Sequence, residues 1–202
     1  MEFDGRETPK FIELEVSNNF MMSVPAFKSD NLEQLLLAGN NTTSVDFHGW
    51  ETPKLRELYL PVNSLTSVPA IRSDSLELLG LNDNKITSLE VEGWVTPKLK
   101  KLYLYNNFLN SVPALKCDNL ELLSVASNKV TSVKLEGWAN PKLRDLWLQH
   151  NSLTSIPTFK SDSLEMLALF ANNITSVEVD GLVAPNLKIF NIREFYALCI
   201  VS

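Results

Sequence analysis

The apolar and polar positions of this chain return in a fixed frame. Leu55, Leu58, Leu60, Asn63 and Leu65 spell LxxLxLxxNxL, and the frame recurs at Leu76, Leu79, Leu81, Asn84 and Ile86 and at Leu99, Leu102, Leu104, Asn107 and Leu109. It continues at Leu120, Leu123, Val125, Asn128 and Val130, at Leu143, Leu146, Leu148, Asn151 and Leu153, and at Leu164, Leu167, Leu169, Asn172 and Ile174. Upstream it stands at Phe11, Leu14, Val16, Asn19 and Met21, and at Leu32, Leu35, Leu37 and Asn40, with Thr42 in the last slot, which makes eight copies. Within LxL the side chains alternate between two faces, the period of a strand. Each copy therefore predicts a short parallel strand followed by a turn. One copy cannot bury its leucines alone, so stacked copies must supply the core.

These motifs resemble the leucine-rich repeat proteins, and the resemblance covers nearly the whole chain. It implies a β-rich solenoid, a horseshoe or arc whose concave side is a parallel sheet. An asparagine at each strand end can bond the backbone of its own turn and of the neighbouring coil with both ends of its amide. Asn19, Asn40, Asn63, Asn84, Asn107, Asn128, Asn151 and Asn172 are expected to form that structural ladder.

The ladder asparagines are spaced alternately 21 and 23 residues apart, so the true period is 44. One return segment reads VPAIRSD (Val68 to Asp74) and the other SLEVEGWVTPK (Ser88 to Lys98), each echoed at the long period. Proline fixes φ and donates no hydrogen bond, which suits an extended return and not a helix. The convex side is thus expected to be extended or short β with little helix. Trp50, Trp94 and Trp138 recur beside glycine, a placement that points to packing. Cys117 stands in the slot of Ser29, Ser73 and Ser161, where a small residue is wanted.

Residues 1–202 are expected to form one repeat domain that starts in mid-repeat, since Glu2 to Phe11 align with Asp46 to Leu55. It ends in an incomplete ninth copy, with Phe195 where the ladder asparagine should stand. The apolar tail and the lack of cysteine-rich caps predict a fragment of a longer protein. The repeat style is similar to extracellular animal repeat proteins, including insect immune receptors. The compartment stays open: extracellular or cell-surface for a piece of a secreted protein, cytoplasmic otherwise.

The column between the two strand leucines runs Glu15, Leu36, Tyr59, Gly80, Tyr103, Ser124, Trp147, Ala168 and Asn191. From Tyr59 on, large and small residues alternate. With strands about 4.8 Å apart, the three rings would stand about 10 Å apart with a small residue in each gap. Either each ring lies down over its small neighbour as packing, or the rings form a recognition surface, since Tyr and Trp dominate interface energies. Tyr105, His150 and Phe170 widen the patch, and Asp145 falls beside Trp147. The acids Glu13, Glu15, Glu57, Asp83, Asp145 and Glu194 outnumber Lys101 and Arg193 on this face, which favours a basic or amphipathic polypeptide as partner.

Composition narrows the choice. A formal net charge of −6 gives no basic face for nucleic acid or an anionic membrane. No apolar run approaches the roughly 20 residues of a membrane span. His48 and His150 sit in different parts of the repeat, and neither they nor Cys117 and Cys199 cluster with metal-ligand spacing, so neither metal nor cofactor is expected. No phosphate loop, dinucleotide fingerprint or nucleophile elbow is present, and the protein reads as a non-enzyme. Asn41-Thr42-Thr43 and Asn173-Ile174-Thr175 are acceptor triplets that would carry glycan at Asn41 and Asn173 in a secreted protein. The expected function is a protein or peptide interaction module with its ligand on the concave sheet, in innate immune or cell-surface recognition. The alternatives are a self-assembling scaffold and the recognition domain of a larger receptor or enzyme.

Overall fold

Every strand of the long sheet is three residues long and has an apolar residue at its centre. The structure, a computed structural model, describes residues 10–26, 28–68, 71–89, 91, 93–112, 115, 117–133 and 141–193. Nine strands make one parallel sheet: β1 (Glu13–Glu15), β3 (Gln34–Leu36), β5 (Glu57–Tyr59), β6 (Leu78–Gly80), β7 (Lys101–Tyr103), β9 (Leu122–Ser124), β11 (Asp145–Trp147), β13 (Met166–Ala168) and β15 (Ile189–Asn191). They pair in that order, each with its neighbour in sequence along this face. The central residues Leu14, Leu35, Leu58, Leu79, Leu102, Leu123, Leu146, Leu167 and Phe190 are in register.

The opposite side is built from two-residue strands. These are β2 (Ser23–Val24) with β4 (Ser44–Val45), β8 (Ser111–Val112) with β10 (Ser132–Val133), and β12 (Phe159–Lys160) with β14 (Leu182–Val183), all parallel. Single bridges join Lys28 to Glu51 and Arg72 to Val95. No helix occurs among the described residues. The proline-bearing returns explain this, because a residue with fixed φ and no N–H can complete an extended coil but not a helix. The solenoid expected from the repeat frame is the fold observed.

The core runs the length of the solenoid as stacked columns. Leu58, Leu79, Leu102, Leu123, Leu146 and Leu167 form one, and Leu65, Ile86, Leu109, Val130 and Leu153 another, all essentially inaccessible. Truncating one of these leucines to alanine costs about 2–5 kcal/mol, transfer and cavity together. Trp50 and Trp94 pack half-buried against this core, and Phe47 meets Trp50 edge-on at 5.0 Å. Trp138, Glu194, the segment Phe195 to Val201 with Cys199, and Glu2 to Pro9 lie outside the described residues.

Between column and turn sits an asparagine whose amide is fully used. Asn107 donates from Nδ2 to the carbonyls of Leu81 (2.9 Å), Leu104 (3.1 Å) and Tyr105 (3.3 Å), and its Oδ1 accepts the Ile86 amide at 3.0 Å. Asn40, Asn63, Asn84, Asn128, Asn151 and Asn172 repeat this four-bond pattern one coil at a time. Asn19 is exposed and bonds only the carbonyls of Val16 and Ser17 in its own coil.

The residue before each of these asparagines has a positive φ: Asn18, Gly39, Val62, Asp83, Asn106, Ser127, His150 and Ala171 lie between 53° and 62°. This left-handed residue turns the chain out of the strand, and its N–H reaches the next coil, as from His150 to the Phe170 carbonyl at 3.0 Å. For residues with a Cβ the conformation costs roughly 1–2 kcal/mol, least for Asn and Asp.

Candidate binding face

On the solvent face of the long sheet each strand offers its first and third residues. The third-residue column is in register as Tyr59, Gly80, Tyr103, Ser124, Trp147 and Ala168, so a ring stands on every second strand. The three rings are half-buried, while Gly80 and Ser124 between them and Ala168 beyond Trp147 are buried. A Cβ placed on Gly80 would come within 3.1 Å of Tyr59 Cδ1, so that ring lies against the Gly80 backbone. The Tyr59 hydroxyl donates to Glu57 Oε2 at 3.0 Å. Burial first, and then the Glu57 carboxylate, push the phenol up to about 12.

The first-residue column has the complementary alternation: Glu57, Leu78, Lys101, Leu122, Asp145, Met166. Where the third position carries a ring, the first is charged; where the third is small, the first is apolar. The bulky apolar side chains thus zigzag across the face from Tyr59 to Met166. Leu78, Leu122 and Met166 were not singled out from sequence, although writing the chain in 44-residue rows would have exposed them.

Next to this column, one residue before each strand from β3 on, charge alternates strictly along Glu33, Arg56, Glu77, Lys100, Glu121, Arg144, Glu165 and Lys188. Ion pairs close at 3.8 Å between Arg56 and Glu33, 2.6 Å between Lys100 and Glu77, and 2.8 Å between Lys188 and Glu165. The lysine hydrogen bonds hold the Glu77 and Glu165 carboxyls below their usual range. Such exposed pairs are worth about 0–1 kcal/mol each, but they make this edge electrically neutral.

On the other flank, Tyr105 meets Tyr103 edge-on at 6.4 Å, and Phe170 meets His150 edge-on at 5.2 Å. His150 is exposed in the left-handed turn beyond β11, at the rim of the face. Burial pushes the Asp145 carboxyl up, with the Glu165 charge adding to it. Around Trp147 three polar atoms are buried without a partner: Trp147 Nε1, Ser124 Oγ and Gln149 Oε1. Asp83 is clamped by amides from Asn82 (2.7 Å) and Asn106 (2.8 Å).

Away from this face, Asn41 and Asn173 are exposed beside the buried Asn40 and Asn172. Cys117 is buried in its serine slot. Among the described residues no group of His, Cys, Asp and Glu could hold a metal ion, and no helix is long and apolar enough to cross a membrane.

Solved structures share this architecture. A leucine-rich effector protein of Yersinia pestis, YopM, superposes with a TM-score of 0.71 at 25% identity, covering 89% of this chain and 48% of that one. The fold is a leucine-rich repeat solenoid. A leucine-rich repeat protein of Leptospira interrogans matches with a TM-score of 0.65 at 27% identity, over 88% of this chain and 53% of that one. YopM of Yersinia enterocolitica shares the fold with a TM-score of 0.53 at 19% identity, over 87% and 49%. The leucine-rich repeat chain described here spans about half the length of each. No family model and no curated protein matches it. These three neighbours are bacterial and give no support to the insect immune likeness drawn from the repeat style.

Proposed function

We propose that this leucine-rich repeat protein is a non-enzymatic interaction module that holds a polypeptide on the concave face of its long sheet. Leucine-rich repeat folds serve in general as protein-interaction modules, and the likeness to such proteins supports that coarser statement. The finer placement rests on one observation: Tyr59, Tyr103 and Trp147 stand in register on alternate strands, half-exposed, beside Asp145, Tyr105 and Phe170 and with His150 at the rim. Tyr and Trp bring large contact area with few rotors, which is why they dominate binding energies. The acids Glu57, Asp83 and Asp145 against Lys101 favour a basic partner.

A random-peptide display library selected against the wild type, then tested on a Tyr59→Ala, Tyr103→Ala, Trp147→Ala variant, checks this. Circular dichroism confirms that both are folded. Clones retained by the wild type and lost by the variant are the expected outcome. Equal retention by both would refute a concave-face site.

A further inference from the structure

We propose that the ring column reads a polyproline II segment carrying basic residues six positions apart, an inference that rests on the concave-face function above. The first support is pitch. Rings on every second strand repeat at about 9.6 Å, twice the strand spacing. A polyproline II helix returns the same face every three residues, or about 9.3 Å. An α-helix lying along the same line repeats its face at about 10.5 Å over seven residues. An extended strand repeats at about 6.8 Å over two. Across the interval from Tyr59 to Trp147 the polyproline match drifts by well under 1 Å, the helix by about 2 Å.

Shape and charge agree with that occupant. Residues i, i+3 and i+6 of the segment meet Tyr59, Tyr103 and Trp147, a second row meets Leu78, Leu122 and Met166, and the third carries the basic residues, whose long side chains reach back to the carboxylates of the first-residue column. Glu57 and Asp145 lie four strands apart, about 19 Å, which is the span of six polyproline residues. Lys101 stands midway and disfavours a third base there, which selects a spacing of six over three. Polyproline II makes no internal hydrogen bonds, so its carbonyls need donors. Trp147 Nε1 is a buried donor without an acceptor, and its register partner Ser124, a residue only 1% exposed, has an equally unpartnered Oγ. Because Nε1 is buried in the unbound face, the indole must turn for Nε1 to reach a peptide carbonyl.

The test uses a fluorescein-labelled peptide of alternating Pro-Pro-Lys and Pro-Pro-Ala triplets, beside the same peptide with glycine for proline and a lysine-bearing helical peptide. Fluorescence polarisation should rise saturably for the proline peptide alone. The affinity should fall by about tenfold or more in Tyr103→Ala and in Trp147→Ala, each shown folded. Equal binding of the glycine or helical peptide, or no binding of the proline peptide, overturns the inference. The display selection separates the two levels. Ring-dependent clones that lack proline overturn the polyproline assignment and leave the concave site standing, whereas an absence of ring-dependent clones overturns both.

Discussion

Asn107→Ala is expected to cost the solenoid about 3 kcal/mol, most of it through one amide. The side chain is 5% exposed and makes four hydrogen bonds, yet their loss is not uniform. The Leu81 carbonyl keeps the Asn84 amide at 3.1 Å, the Leu104 carbonyl keeps the Asn128 amide at 2.9 Å, and the Tyr105 carbonyl keeps the Asp83 N–H at 3.0 Å. None of the three becomes an orphan, so each lost bond is worth the low end of about 0.5–1.5 kcal/mol. The Ile86 N–H has only Asn107 Oδ1, inside the core, and stranding it costs about 1–3 kcal/mol. Asn19→Ala supplies the contrast, since Asn19 is exposed and bonds two carbonyls of its own coil; it should cost under about 1 kcal/mol. Asn107→Asp replaces the amide donors with lone pairs facing three carbonyls, so it should destabilise more than alanine at neutral pH. Part of that loss should return as acid protonates the new carboxyl, which then donates. Urea unfolding read by circular dichroism gives the order, and hydrogen exchange at the Ile86 amide reports the stranded group. Equal losses for Asn107→Ala and Asn19→Ala would refute the assignment of the cost to the buried amide.

Val62 is β-branched, 58% exposed and held at φ 55°, in a slot that other coils fill with Asn18, Asp83 and Asn106. Val62→Asn should therefore stabilise by about 1 kcal/mol, a rise of about 2–4 °C in Tm, and a fall would refute the strain. Tyr59, raised to about 12, ionises later in the folded than in the unfolded chain. Its contribution is fully present below about 10 and is lost as pH climbs from there to about 12. Glu57→Gln should bring the phenolate absorbance step down only part of the way, because burial remains; a full return to the free value would mean the carboxylate did all the work. Burial pushes the Cys117 thiol up while a Thr96 hydrogen bond partly offsets it. In a Cys199→Ser background a thiol reagent should react no faster than the chain unfolds, and prompt labelling of the native protein would contradict that. Gly80→Ala should leave folding near wild type, since Ser124 and Ala168 carry a Cβ in that slot, but displace Tyr59 and weaken peptides selected for the rings. Unchanged affinity would show that the ring's position does not matter.

Much of this was legible because two residue types at one spacing carried it. Leucine pairs such as Leu58 and Leu60, closed by Asn63, specify a strand and its turn by type alone, and the nine-stranded register follows from stacking them. The ring column was legible for the same reason: Tyr59, Tyr103 and Trp147 are large wherever the period returns. The left-handed column was not. Asn18, Gly39, Val62, Asp83, Asn106, Ser127, His150 and Ala171 share no residue type, because inter-coil hydrogen bonds and not local preference force the conformation. The charged column before the strands was equally silent, since its meaning lies in the partner one coil away. Whether Tyr59 lies against Gly80 or stands free depends on packing, and the sequence left both open.

Packing and recognition need not compete for the rings. A ring that lay loose on the sheet would lose rotamer freedom on binding, at a cost of about 0.5–1.5 kcal/mol for each side chain. Tyr59 is already fixed at two points, against Gly80 and through its hydroxyl to Glu57, and Tyr103 is braced by Tyr105. The small residue between rings is what lets each ring settle, and the settled ring keeps its half-exposed surface in place before any partner arrives. The alternation of ring and small residue from coil to coil then has a physical consequence: it doubles the pitch of the ring column from one strand spacing to two. A face with identical coils would crowd rings about 4.8 Å apart and leave no room for side chains between them. At the doubled pitch each ring has a gap beside it, with an aliphatic side chain from the neighbouring column at its edge. Under the proposed function, that doubled pitch is what a chain held on the face would have to match.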